Sequence, residues 1–433
     1  MHTTIWDVIV VGGGMGAVSA AIAAARAGAA TLLIERTGRL GGAYTTNLVQ
    51  PLMGWTRQRH PIAAELITRL GAESPKLADL VLAEAVQEAG ASLLLHTWVA
   101  GAVLDGDRVV GVQVLNKEGL HEIRGRIVID GSGDGDVAAS AGVPFSMGRS
   151  QDGLVQPMTI MYEIGGVAAD GFLCGSEEGA VALQLPGGTW HDIVMAGRER
   201  GELPPEVGII RIYGSPMPGR RVINATQVNR VDGLSAADLT RAEIYGRQQA
   251  RSVTAFLRAH APGYADCHIA EMPAAIGVRE TRRFRGLVEV TIPLLASGRR
   301  LPDAVVREVN FPVDIHNPAG VGQAETFAAK LPTYDLPYGC LVPAGRDGLL
   351  LSGRNIAGSH EAHASYRVQQ ITMHIGIAAG TAAAACVRLG VQPRQLDPAA
   401  IQPQLDIDTG IQLLTVRDGP PSADARSGAG RPG

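Results

Sequence analysis

One short segment limits the folds open to this chain more than any other. Gly12, Gly13, Gly14, Met15, Gly16 and Ala17 follow an apolar run, Ile5 to Val11, that is broken only by Asp7. Such a run fits a strand buried on both faces. After the glycines, Ala17 to Ala29 is dominated by small side chains, which make a good helix thin enough to lie close to a sheet, and Gly28 ends it. A second apolar run, Thr31 to Ile34, closes on Glu35 and Arg36. Strand, glycine turn, helix, strand and acid form one βαβ unit.

A turn of this kind aims backbone N–H groups and the positive end of a helix at an anion, and a pyrophosphate meets that demand. Gly12 permits the tight turn and Gly14 lets the backbone approach phosphate. Ala17 stands where the third glycine of the fingerprint allows close helix-to-strand packing. Glu35 is placed to accept from the hydroxyls of an adenosine ribose. The competing reading is a glycine-rich turn in an ordinary α/β protein. NAD and FAD share the turn, but two features favour the longer FAD. Gly38 to Gly42 supplies a second backbone-only approach, and two further strands, Ile127 to Asp130 and Leu349 to Leu351, also run into glycine.

Composition removes other classes. Charged residues are 18 % of the 433 and the net charge is −4, which leaves no electrostatic footprint for nucleic acid or an anionic membrane. The four cysteines lie far apart, with neither a disulfide framework nor metal-ligand spacing. The bland stretch Ile375 to Val387 is too short for a bilayer of about 30 Å, and Met1 to Asp7 lacks a basic signal region. The expectation is a soluble, cytoplasmic protein with a small-molecule substrate.

Farther along, Leu77 to Ala89 has helical spacing, and Ser92 to Ala102, Arg108 to Leu115 and Glu122 to Ile129 read as strands joined by tight turns. The middle loses the small-residue pattern and holds a long amphipathic helix, Ala236 to His260. Val368 to Leu389 returns to an Ala/Gly-rich helix. The resulting expectation is an α/β fold: a Rossmann-like domain with a parallel sheet, interrupted by a mixed α+β substrate domain. Its parts are 1–165 and 335–410 for the first domain and 166–334 for the second, with a disordered tail at 411–433.

The motifs at Val10 to Ala17, Glu35 to Gly42, Asp130 to Asp136 and Leu349 to His360 together resemble the FAD-dependent oxidoreductases of the glutathione-reductase-like flavoprotein superfamily. Within it, the chain is similar to a bacterial FAD-dependent oxidoreductase family distantly related to fumarate reductase and succinate dehydrogenase flavoproteins. Gly41 to Thr46, Asp152 to Thr159, Ile276 to Arg283 and His360 to Val368 carry the resemblance too, so it spans about residues 5 to 405. It implies FAD with its pyrophosphate over Gly12, Gly13, Gly14, Gly16 and Ala17 and its ribose on Glu35. Arg36, Gly41, Gly42, Val99, Gly131 and Gly133 complete the expected contacts, and Gly353 and Asn355 lie near the ribityl chain. The superfamily more often has Asp where this chain has Asn355. Tyr44 to Leu48 lacks the histidine that tethers flavin in fumarate-reductase relatives, so noncovalent FAD is expected, with His60 as the remaining candidate for a tether.

A flavin carries the redox step, so the protein must seat a substrate and manage a proton. His360 is the candidate acid/base, with Arg279 as the other group expected to move the proton; the plainer role of bonding a carbonyl or a flavin oxygen suits His363 better. Arg279 and Arg283 fall on one face of an extended segment and Arg282 on the other, a pattern that suits a carboxylate clamp or a structural Arg/Glu network with Glu280. Arg57, Arg59 and His60 form either an opposite wall or a solvated loop. No metal site is expected. The leading function is a dehydrogenase or reductase passing a hydride between flavin N5 and a small organic substrate, with a separate electron donor or acceptor. The alternatives are a monooxygenase that uses NAD(P)H, and an electron-transfer subunit of a larger complex.

Overall fold

In a computed structural model, residues 5–56, 59–322 and 331–406 are described. Arg57 and the expected tail at 411–433 lie outside them. The chain opens with β1 (Ile5–Val11), α1 (Met15–Arg26) and β2 (Thr31–Ile34). It continues through β3 (Trp55–Thr56), α2 (Pro61–Ala72), α3 (Ala78–Glu88), β4 (Ser92–Leu94), β5 (Trp98–Asp105), β6 (Arg108–Asn116) and β7 (Gly119–Asp130). The main sheet runs β4-β2-β1-β7-β6-β5, and Leu349–Leu351 also pairs with β7.

The long strand β7 joins two kinds of sheet. Its first half pairs antiparallel with β6, from Asn116↔Gly119 to Gly111↔Arg124. Its second half runs parallel to β1, up to Val11↔Asp130, and to Leu349–Leu351. Ile127 to Asp130 are all buried, whereas the start of the strand is partly exposed, as expected where one part is covered on both faces and the other on one. This is an α/β fold with a parallel, Rossmann-like sheet.

The helix Gln369–Leu389 explains why α1 is so poor in large side chains. A Cβ at Gly376 or Gly380 would run into the backbone of Gly16 or Ala20, so both helices must present bare backbone where they cross. The 21-residue helix is longer than its bland centre suggested, and by length and composition it passes for a membrane span. In the protein 89 % of its most apolar window is buried, packed largely on α1.

A second hydrophobic cluster, separate from the first, surrounds Tyr162, Ile164, Trp190, Ile212, Val253, Phe256 and Leu257. It lies between the helix Ala236–His260 and an antiparallel sheet in the order Arg211–Gly214, Arg221–Asn224, Met161–Gly165, His268–Glu271. The chain enters and leaves this region side by side, because Phe145–Met147 pairs with Arg282–Phe284 and Thr159 bridges Gly277. A third, three-stranded sheet joins Ala304–Asn310 to Tyr334–Pro337 and β3.

Candidate flavin and substrate site

The glycine turn is built as the spacing required. Gly12 has φ +99°, and a Cβ there would strike Gly131. Gly14 caps α1 without a side-chain hydrogen bond, and no acid lies in the first helical turn, so the positive helix end is left uncompensated. A Cβ on Gly14 would meet nothing within 4 Å, and the same holds at Gly353, where φ is +99°. These two backbones border open space, as a cradle for an extended ligand requires. Gly41 donates to Gly13 O at 2.7 Å, and Gly42, at φ +51°, packs on Gly14. Gly16 sits against Ser352 Oγ and the Gly353 Cα.

Glu35 follows β2 directly and lies beside the glycine turn. Its Oε1 accepts from Thr37 N–H and Thr37 Oγ1, both at 2.8 Å, while its Oε2 lies beside Gly13. Thr97 N–H donates to Glu35 O, which brings the beginning of β5, with Val99, alongside. The Arg36 guanidinium lies 5.1 Å from the Trp98 ring centre. Across the cleft, Asn355 is fully buried. Its Nδ2 donates to Asp130 O at 2.9 Å, and its Oδ1 and the Ser352 hydroxyl are buried without partners. Unmet polar atoms beside glycine backbones fit a polar ligand.

Gly131 and Gly133, just beyond the end of β7, also have packing roles. Gly131 packs on the Ala17 Cβ and so supplies the close helix-to-strand contact, while Gly133, at φ +84°, packs under the Arg354 guanidinium. Arg354 in turn bonds Asp134 at 2.5 Å. At the same strand end, burial pushes the Asp130 carboxyl up to about 6, although it accepts from Ala138 and Ser132.

Within the arginine segment only Arg282–Phe284 lies in a strand, and the arginines find separate partners. Arg283 forms a buried ion pair with Glu280 and also donates to Gly358 O and Gly148 O. Glu280 holds His360 Nδ1 at 2.8 Å and accepts from Gln156 N–H at 3.0 Å. Arg282 bonds Asp134 O and Asp136. Arg279 is directed elsewhere: it donates to Pro157 O, and burial, reinforced by nearby Arg367, pushes its guanidinium down to about 9.

His360 opens the helix His360–Tyr366 behind the N-cap Ser359, in the turn after Asn355. His363 lies fully inside; burial, with Arg283 and Arg367 near it, holds its imidazole well below the usual range. His60 has a structural task at the start of α2. It caps α2, accepting from Ile62 N–H at 3.2 Å, while its Nε2 bonds Gln404 O at 3.0 Å. The sequence reading missed that helix, although proline at its first position was the available signal. It also missed Gln156, Arg211, Asp314 and His316, which no local pattern marks. Among the described residues no group of three or more His, Cys, Asp or Glu is placed to hold a metal. A surface groove of about 800 Å³ bordered by Met195, Leu203, Tyr245 and Ser252 contains none of these site residues.

A family model described as FAD dependent oxidoreductase matches residues 7–405. Among curated proteins, the chain is similar to digeranylgeranylglycerophospholipid reductase 1 of Methanopyrus kandleri, 34 % identical over 154 residues, or 30 % of this chain and 40 % of that protein. It is 32 % identical over 169 residues to reductase 2 of the same organism, covering 33 % of this chain and 41 % of the relative. The chain thus matches about two fifths of the length of these relatives. Among solved structures, a geranylgeranyl bacteriochlorophyll reductase-like protein of Thermoplasma acidophilum superposes with a TM-score of 0.48 at 14 % identity, over 92 % of this chain and 82 % of that one.

Proposed function

The chain belongs to the FAD-dependent oxidoreductase family, and from that premise we propose that it transfers a hydride between noncovalently bound FAD and a small organic substrate that carries a carboxylate. The turn at Gly12 to Ala17 and the uncapped start of α1 suit the pyrophosphate, Glu35 the adenosine ribose, and Asn355 Oδ1 and Ser352 Oγ the ribityl hydroxyls. FAD when bound supplies or accepts the hydride at N5. The protein has to seat the substrate and move one proton.

The observation that carries this reading is the buried Glu280–His360 pair at the turn beyond Asn355. A carboxylate on Nδ1 fixes the ring and its tautomer, leaving Nε2 as the atom that exchanges a proton with the substrate. Arg283, by pairing with the same carboxylate, holds Glu280 in place. The reductases of Methanopyrus kandleri that the chain resembles support the reductive direction. A separate electron donor completes the cycle.

The test is anaerobic. Purified protein should carry FAD, and its reduced flavin should be reoxidised by an unsaturated organic acid. His360→Gln should lower that rate by about 10²–10⁴-fold while the flavin content stays unchanged. An unaltered rate in the variant removes His360 from the reaction, and folded protein that binds no FAD refutes the whole reading.

A further inference from the structure

Resting on that reading, we propose that Arg211, Arg279, Arg367 and Gln156 form the subsite that binds the carboxylate of the substrate, between the strand Arg211–Gly214 and the helix His360–Tyr366. None of the four is a neighbour in sequence of another, and two come from the second hydrophobic region or its border.

The argument begins with charge. Arg279 and Arg367 interact with Asp314, and Arg211 acts on Arg279 and on His316. Arg367 donates to Asp314 Oδ2 at 3.1 Å, and His316 Nε2 lies 3.5 Å from the same oxygen. Burial would raise the Asp314 carboxyl, yet His316, Arg367 and Arg279 together hold it well below the carboxylate range. Burial and the neighbouring Arg279 push the His316 imidazole down to about 3, so it is neutral near pH 7. Three guanidinium groups therefore share Asp314, and the second carboxylate that acts on Arg367, Glu280, is already paired with Arg283. A surplus of positive charge in a partly dehydrated place costs several kcal/mol unless an anion joins it.

Unmet donors point to the same place. Arg211 is only 7 % exposed, yet no hydrogen bond or ion pair holds its guanidinium among the described residues. The Gln156 Nε2 and the Arg367 Nε are buried without partners, although Gln156 Oε1 receives Arg367 Nη2 at 3.4 Å and His316 N–H at 3.3 Å. Gln156 is 1 % exposed, so water cannot readily serve its amide. Asp314 and Arg367 keep 22 % and 13 % of their side-chain surface accessible while enclosed by protein, as groups lining an internal cleft do.

The cluster also adjoins the proton-carrying pair. Gln156 N–H donates to Glu280, which holds His360, and Arg279 is the residue before Glu280. A substrate anchored on the arginines would thus extend toward His360. A planar carboxylate suits forked guanidinium donors, and a monoanion suffers less repulsion from Asp314 than a phosphate dianion does.

The experiment uses FAD-saturated protein, titrated at fixed ionic strength with succinate, benzoate and inorganic phosphate, with the flavin absorption spectrum as the readout. The carboxylates should bind saturably and more tightly than phosphate. Arg211→Gln should weaken them by about 10–100-fold, the loss expected for a charged hydrogen-bond donor, without changing FAD content. Arg211→Lys should recover only part of the affinity, because a point charge replaces a fork. Gln156→Leu, which keeps the charge but removes the amide, should weaken binding more modestly. Absence of saturable carboxylate binding, tighter binding of phosphate, or Arg211→Gln binding carboxylates as the unaltered protein does would each overturn the subsite. Failure of the unaltered protein to hold FAD would instead count against the proposed function.

Discussion

The glycine cradle and the arginine cluster, both at the candidate site, are made in opposite ways. The cradle is backbone: Gly12, Gly14, Gly41, Gly42 and Gly353 matter because they have no side chain, and most of them fall within forty residues of one another. The cluster consists of long side chains from residues 156, 211, 279, 314, 316 and 367, brought together only by tertiary folding. The first kind of site is written in local spacing. The second requires knowing which strands and helices meet.

The strongest way to break that contrast is to attack the ion pair that borders both. Glu280→Gln leaves Arg283 buried without its partner, and such a loss costs about 3–5 kcal/mol. Equilibrium unfolding of the FAD-loaded protein measures it. A change below about 1 kcal/mol would mean that the pair is solvated and Arg283 is free to serve a substrate after all.

That distinction shows what could be read in advance. The βαβ unit, the helix Ala236–His260 and the start of the last long helix follow from hydrophobic period, glycine and caps, which are local. The pairing of Arg283 with Glu280 is only three residues long, yet alternation put Arg283 beside Arg279, because strand geometry was assumed for residues that precede the strand Arg282–Phe284. His60 looked reactive in the sequence and is a helix cap, a role fixed by the proline after it and by Gln404 far along the chain. Gly131 reads as a cofactor contact in the sequence, but its packing against Ala17 was not legible. Residue type was legible in each case; the neighbour that gives the type its task was not.

Gly14→Ala tests the backbone side of the comparison. An added methyl would meet no protein atom within 4 Å, so the melting temperature of the FAD-free protein should stay nearly the same. FAD affinity, however, should fall by about 100-fold, because the methyl stands where phosphate would approach. Equal FAD affinity would place the pyrophosphate elsewhere. Gly12→Ala should instead destabilise the FAD-free fold itself, since its φ is +99° and its neighbour is the Gly131 backbone.

The side-chain cluster carries its own signature in pH. His316 is held at about 3, below its ordinary 6.5, by burial and by Arg279. The unfolded chain therefore takes up a proton between those values that the folded one refuses. Stability contributed by the neutral ring is present above about 6.5 and is lost as pH falls toward 3. His316→Asn should flatten the unfolding free energy between pH 7 and pH 4.5 by about 2 kcal/mol. An identical slope in both proteins would place the ring in water.

Glu35 stands between the two kinds of site and should give the smallest effect. Its position follows from the motif, but its orientation depends on Thr37, which donates twice to Oε1 and leaves Oε2 beside Gly13. Glu35→Gln keeps the size and loses the charge, so FAD affinity should drop by about tenfold, as for one charge-assisted hydrogen bond. Thr37→Val removes only the hydroxyl bond and should cost a fraction of that, through freedom of the Glu35 carboxylate. Flavin fluorescence titrations of both variants measure the difference. If Thr37→Val were the more damaging, the ribose contact would depend more on the arrangement of the turn than on the carboxylate itself, and even the cradle would owe part of its work to side-chain packing.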